Sequence, residues 1–168
     1  MNKSIAMGHF SACIPHILSY EAGYVNHPAD PGGETKYGIS KRAYPHRDIA
    51  ALTLDDATAI YERDYWRTVR ADQFPAGVAL LLFDSAINQG QETAVKLLQK
   101  ALHVAEDGIP GPVTQQTALD RMPDLLSLYA AERARYYALL PTIRAFGRGW
   151  YRRLFGIYGI AWGWHHGD

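Results

Sequence analysis

The chain is almost without cysteine. Cys13 is the single one, so no internal disulfide can staple the fold. A lone thiol of this kind reads first as a small buried apolar group, and only second as a reactive one. There is no excess of either charge. Basic and acidic residues number 17 each, so global charge selects no polyanionic or polycationic partner. No apolar run approaches the ~18 residues that cross a bilayer, so stable membrane insertion is not expected. Lys3 gives the start a weak positive charge, but His9, Ser11, Pro15 and His16 interrupt any apolar core of a signal peptide. The expectation is synthesis in the cytoplasm without an export signal of its own, and a separate route to any substrate outside. Repeats and low-complexity stretches are absent. No helix-turn-helix or RNA-binding signature appears, so nucleic acid is not an expected partner. Asp30 with Glu34, or His165 with His166, supply too few ligands for a cation, so neither metal nor cofactor is expected.

What is present is a 168-residue chain that is 48% hydrophobic, enough for one domain with a real core, expected as a monomer. Alternating period-2 patterns are nearly missing, so the fold class is mainly α, with at most a short β-hairpin near residues 24–40. The first helix is expected over about 11–22, because Pro15 belongs in a first turn. Thr53 reads as an N-cap ahead of Asp55 and Asp56, opening a helix to about Arg70. Asp64 and Trp66 flank Tyr65 in it, facing a cleft or anchoring the helix. The segment Val78 to Phe83 is apolar on all sides, so a helix near Pro75–Gln89 should be central and least exposed. Asp84 and Asn88, four residues apart on it, suit an internal clamp or a substrate contact. Helices are expected over 91–104, from Thr114 to Leu119, and from Pro123 to about Leu140, with turns at Asp107-Gly108 and Pro110-Gly111. Six arginines and no acid lie between Arg133 and Arg153. They suit a solvated face with a few internal ion pairs, or contact with an anionic cell wall.

One stretch carries chemistry. Phe10, Ile14, Ile17 and Leu18 form one helical stripe, and Glu21 continues it. A carboxyl at that place is expected to turn inward, in the helix's last turn with Gly23 as C-cap. Partial desolvation and the negative helix end both suit a group that must hold a proton. A Gly- and Pro-rich loop follows with Asp30 and Thr35. Tyr24, Asn26, His27 and Tyr37 are interleaved in it. Aromatic faces and amides suit sugar rings, which makes Tyr24, Asn26, Tyr37 and Asn88 candidate substrate contacts. The plainer readings are an Asx turn for Asp30 and Asn26 and a solvated loop histidine for His27. An acid on a rigid element facing an acid on a loop is the arrangement that glycosidic hydrolysis needs.

At these residues the sequence resembles glycoside hydrolase family 108. Glu21-x-Gly23-Tyr24-x-Asn26 and Asp30-x-Gly32-Gly33-x-Thr35-x-x-Gly38-Ile39 match its opening motif. The likeness continues through Asp64-Tyr65-Trp66, Phe83 to Gly90, Leu98 to Leu102, Asp107 to Gly111 and Phe146 to Trp150. The family comprises lysozyme-like N-acetylmuramidases of phages and bacteria, including endolysins and secretion-activator proteins. The resemblance implies a lysozyme-like helical domain that cleaves peptidoglycan between N-acetylmuramic acid and N-acetylglucosamine, with Glu21 as the catalytic acid. Ala22 departs from the family's usual glycine. Small phage lysozymes of a related class separate Asp and Thr by five residues, whereas four separate Asp30 from Thr35 here. Asp30 and Thr35 are expected to work opposite Glu21, as base or charge stabiliser and as a placer of water. Residues 91–119 are similar to small peptidoglycan-binding modules. With no linker before them, 1–90 and 91–168 are expected to pack as one domain acting on the periplasmic wall. The alternative is a wall-binding or secretion-accessory protein without catalysis.

Overall fold

The computed structural model describes residues 7–21, 23–24, 33–122 and 124–166. The sequence-based assignments to Asn26, His27, Asp30 and Pro123 lie outside these residues. The described chain is mainly helical: α1 (Phe10–Leu18), a hairpin of β1 (Thr35–Lys36) and β2 (Ile39–Ser40), α2 (Leu54–Ile60), α3 (Ala76–Gln89), α4 (Gln91–Leu102), α5 (Pro112–Asp120), α6 (Leu125–Ala138) and α7 (Ile143–His166).

The central helix is α3. Every residue from Gly77 to Ala86 is buried, as an all-apolar helix requires. It packs chiefly on α4 and α7, and also on α6. Two glycines allow close approach. A Cβ on Gly77 would stand 2.8 Å from the Ala161 carbonyl of α7, and one on Gly8 would strike the Ala79 side chain. Phe10 of α1, Trp66 and Phe83 of α3 meet ring to ring, with centroids 5.3–5.8 Å apart. These contacts seat α1 on the core.

Three features differ most from the sequence reading. The first helix runs from Phe10 only to Leu18, and Pro15 lies inside it rather than in its first turn. Pro15 has no N–H to continue the ladder, and the chain turns away soon after it. Thr53 does cap α2, exchanging bonds with Asp56 at 3.1 and 3.0 Å. The helix then widens into a π-helical segment over Tyr61–Trp66, where the Arg67 N–H reaches the Glu62 carbonyl five residues back. Asp64 anchors this segment, accepting from the Tyr44 hydroxyl at 2.8 Å. The third difference is α7 itself, a 24-residue helix through a stretch read only for its arginines.

Candidate active site

Glu21 lies beyond α1, not in its last turn. Ser19 and Tyr20 turn the chain, and the Glu21 N–H donates to the Leu18 carbonyl at 3.2 Å. The negative helix end is therefore not what surrounds the carboxyl. α7 holds the turn instead. Arg153 stands over the Tyr20 ring at 5.3 Å, and the Tyr20 hydroxyl abuts Gly156, where a Cβ would collide with it. Anchored so, Glu21 swings inward, and its side chain is 14% exposed.

There it joins a chain of ions. Arg153 Nη1 donates to Glu21 Oε1 at 2.7 Å, and Arg153 Nε to Asp84 Oδ1 at 2.7 Å. The other oxygen of Asp84 accepts from Arg133 Nη2 at 2.6 Å. Arg133 also donates to Gln89 Oε1 and the Leu81 carbonyl. Asp84 and Arg133 are fully buried. Two carboxylates thus alternate with two guanidiniums, and the charges balance. Burial alone would push Arg153 down, but the charges of Asp84 and Glu21 outweigh it and hold the guanidinium above its ordinary range.

The second oxygen of Glu21 faces a different wall. A Cβ on Gly38 would collide with Glu21 Oε2 and with the Tyr61 hydroxyl. Gly38 is the tip of the hairpin, in which Thr35 pairs with Ser40 and Lys36 with Ile39. Both turn residues, Tyr37 and Gly38, have positive φ (50° and 77°), as a two-residue hairpin turn of right-handed twist demands. The Tyr61 hydroxyl donates to the Tyr37 carbonyl at 2.9 Å. Burial, then the negative charge of Glu21, push Tyr61 well above the usual phenol range, so it stays a neutral donor.

Glu21 and the Tyr37–Gly38 turn are thereby brought together. Thr35 is bonded within its own loop, Oγ1 donating to the Gly33 carbonyl at 3.3 Å. The Tyr24 hydroxyl donates to Glu34 Oε1 at 2.8 Å. Asn88 sits exposed at the end of α3, its amide donating to the Asp84 carbonyl at 2.7 Å and to Oδ1 at 3.3 Å. Sequence reasoning missed Arg153 and Tyr61 as neighbours of Glu21. The signal for Arg153 was present: an acid on an all-apolar helix needs a basic partner, and the acid-free arginine run had to supply it.

The family model described as Glycosyl hydrolase 108 matches residues 14–90. Among solved structures the chain is similar to Brucella abortus SagA, with a TM-score of 0.85 and 35% identity, covering 95% of this chain and 97% of that one. No curated protein sequence matches it. The 14–90 span takes in Glu21, the hairpin, Tyr61 and Asp84, while the structural likeness extends past it to Arg133 and Arg153.

Proposed function

The chain belongs to the glycosyl hydrolase 108 family, and on that premise we propose that it is an N-acetylmuramidase that cleaves the peptidoglycan strand between N-acetylmuramic acid and N-acetylglucosamine. The observation that carries this is the division of labour on Glu21. Oε1 is held by Arg153, whereas Oε2 lies against the hairpin tip and Tyr61. Arg153 can donate to Oε1 whether or not the carboxyl is protonated, so Oε2 is the oxygen that carries the catalytic proton. That proton passes to the glycosidic oxygen as the bond to the anomeric carbon breaks, and positive charge develops on the sugar ring. A water then attacks the anomeric carbon. In this reading Asp30 takes the proton from that water, Thr35 helps to place it, and Tyr24, Asn26, Tyr37 and Asn88 contact the sugars. Inversion is expected, which requires the two carboxyls to stand about 6.5–9.5 Å apart. The site of action is the periplasmic wall.

The test is digestion of purified peptidoglycan with mass analysis of the fragments. Reducing-end muramic acid is expected from the wild type. Glu21→Gln should slow its release by ~10²–10⁴-fold or more. Glutamine still offers Oε1 to Arg153, so the protein should stay folded, with a melt lowered by the loss of the charge that balances Arg153. A folded Glu21→Gln protein with normal activity would sink the mechanism, and anhydro-muramic products would reassign the reaction to a lytic transglycosylase.

One observation favours a second reading. Glu21 closes the Arg153–Asp84–Arg133 network, which accounts for an inward glutamate without any catalysis. A wall-binding or secretion-accessory protein on this fold would then bind peptidoglycan and release no fragments, and Glu21→Gln would change only stability.

A further inference from the structure

α7 turns one stripe inward and another outward. Leu154, Ile157 and Ala161 are buried in the core. On the far side Arg144, Arg148 and Arg152 follow one another at single-turn spacing, all exposed. Among the described residues no carboxylate pairs with any of them. From Arg133 to His166 the sequence holds no Asp or Glu at all. Like charges four residues apart work against a helix, so this row is not there for the helix's own sake. Farther along the same side lie Phe155, 65% exposed, and Trp162, 40% exposed, its ring 5.9 Å from that of Tyr158. Phe155 and Tyr158 join Ala130, Ala131 and Ala134 of α6 around an apolar surface cavity of about 230 Å³.

We infer that this face of α7 docks flat on the anionic headgroup surface of a phospholipid bilayer. The cationic row meets the phosphates, which guanidiniums bind through paired donors. The aromatic end and its apolar cavity meet the boundary between headgroups and acyl chains, the level that Phe and Trp of interfacial helices occupy. The helix is ~36 Å long, enough to lay both halves on one surface. No described helix is long and apolar enough to cross a membrane, so the contact is peripheral. A glycan strand fits this face less well. Its aromatic rings could stack on sugars, but the outward positions from Arg144 to Gly163 are only Arg, Gly, Ala, Phe and Trp, with no side-chain acceptor for sugar hydroxyls. Docking leaves the Glu21 site open, because Arg153 lies about 100° around the helix from Arg152.

The experiment is co-sedimentation of the Glu21→Gln protein at low salt with vesicles of phosphatidylglycerol and phosphatidylcholine, against vesicles of phosphatidylcholine alone. Glycan cleavage does not enter, so the outcome is independent of the proposed reaction. Binding to the anionic vesicles alone is expected, falling as salt is added. Each arginine near such a surface contributes about fivefold in affinity, so the combined Arg144→Gln, Arg148→Gln, Arg152→Gln variant should bind roughly a hundredfold more weakly. Phe155→Ser should cost about another tenfold. The three arginines are exposed and repel one another along the helix, so the melt of the triple variant should not fall. The inference is overturned by absent binding, by equal binding to both vesicle types, or by undiminished binding of the arginine variant. Arginine-dependent retention on purified peptidoglycan without vesicle binding also overturns it, and makes this face a wall contact.

Discussion

At the scale of the residue, the site turns on which oxygen of Glu21 is engaged. Arg153 is the pivot, since it holds one carboxylate, Glu21, beside the hairpin tip and another, Asp84, in the core. Arg153→Met would leave the two carboxylates facing each other without the cation between them. Removing one member of a buried pair costs about 3–5 kcal/mol, because the remaining charge stays desolvated. For a chain of this size that is a fall in melting temperature of about 10 °C. Activity should fall with it, since Glu21 loses its anchor. Arg153→Lys keeps the charge, but a single ammonium cannot reproduce the two-pronged contact, so it should rescue stability more than activity. Equal rescue of both would show that charge alone matters and geometry does not. Melts and peptidoglycan turnover, measured on the same preparations, separate the two.

At the scale of the element, glycines mark where backbone is needed and where it is not. Gly38 has φ 77° and no room for a Cβ, so Gly38→Ala should displace the hairpin tip from Glu21 and cost at least tenfold in activity with no polar group removed. Gly159 is the opposite case. It lies inside α7 with nothing within 4 Å of a Cβ, so Gly159→Ala should stabilise the protein by up to about 1 kcal/mol. A melt that falls on Gly159→Ala would mean the position has a neighbour after all. These glycines also explain what the sequence made legible and what it hid. α3 could be read because its apolar run is unbroken, and α2 because Thr53 and Asp56 form a capping box. The hairpin was read only as at most a short one near residues 24–40, because two-residue strands are too short to show an alternating pattern. α7 was hidden because Gly147, Gly149, Gly156, Gly159 and Gly163 weaken the helical signal, which tertiary packing on α3 and α6 overrides. The end of α1 was misjudged because the stripe through Glu21 continues past the real helix. Glu21 itself was legible from its motif, but its partner Arg153, 132 residues away, follows only from the packing of α7 on α3.

At the scale of the whole molecule, buried groups that must stay neutral set an alkaline limit. Burial pushes the Cys13 thiol from an ordinary 9.0 up to about 12. In the folded state it remains protonated there, while the unfolded chain ionises from pH 9 upward. Its contribution is therefore complete below pH 9 and is lost at about 1.4 kcal/mol per pH unit up to 12. Tyr61 and Tyr129, also raised by burial, add to the loss above pH 10. Melting temperature should decline through this window, and Cys13→Ala should decline less steeply; parallel slopes would remove the thiol from the account. The two halves of the chain are tied more tightly than the 14–90 family span suggests. A fragment ending at Gly90 keeps Glu21, the hairpin and α3, but takes away α4, α6 and α7, the helices that cover α3. Leu80, Leu81 and Leu82, all at 0% exposure in the full chain, would then meet water on their uncovered sides. Asp84 would lose both arginines, and Glu21 its only described ion-pair partner. The fragment should therefore show no cooperative melt and no glycan release. Adding residues 91–168 as a separate polypeptide should restore both if the two parts pack as one domain. A fragment of 1–90 that melts cooperatively and cleaves peptidoglycan at the full rate would make the second half an independent module, and would remove Arg133 and Arg153 from the catalytic argument with it.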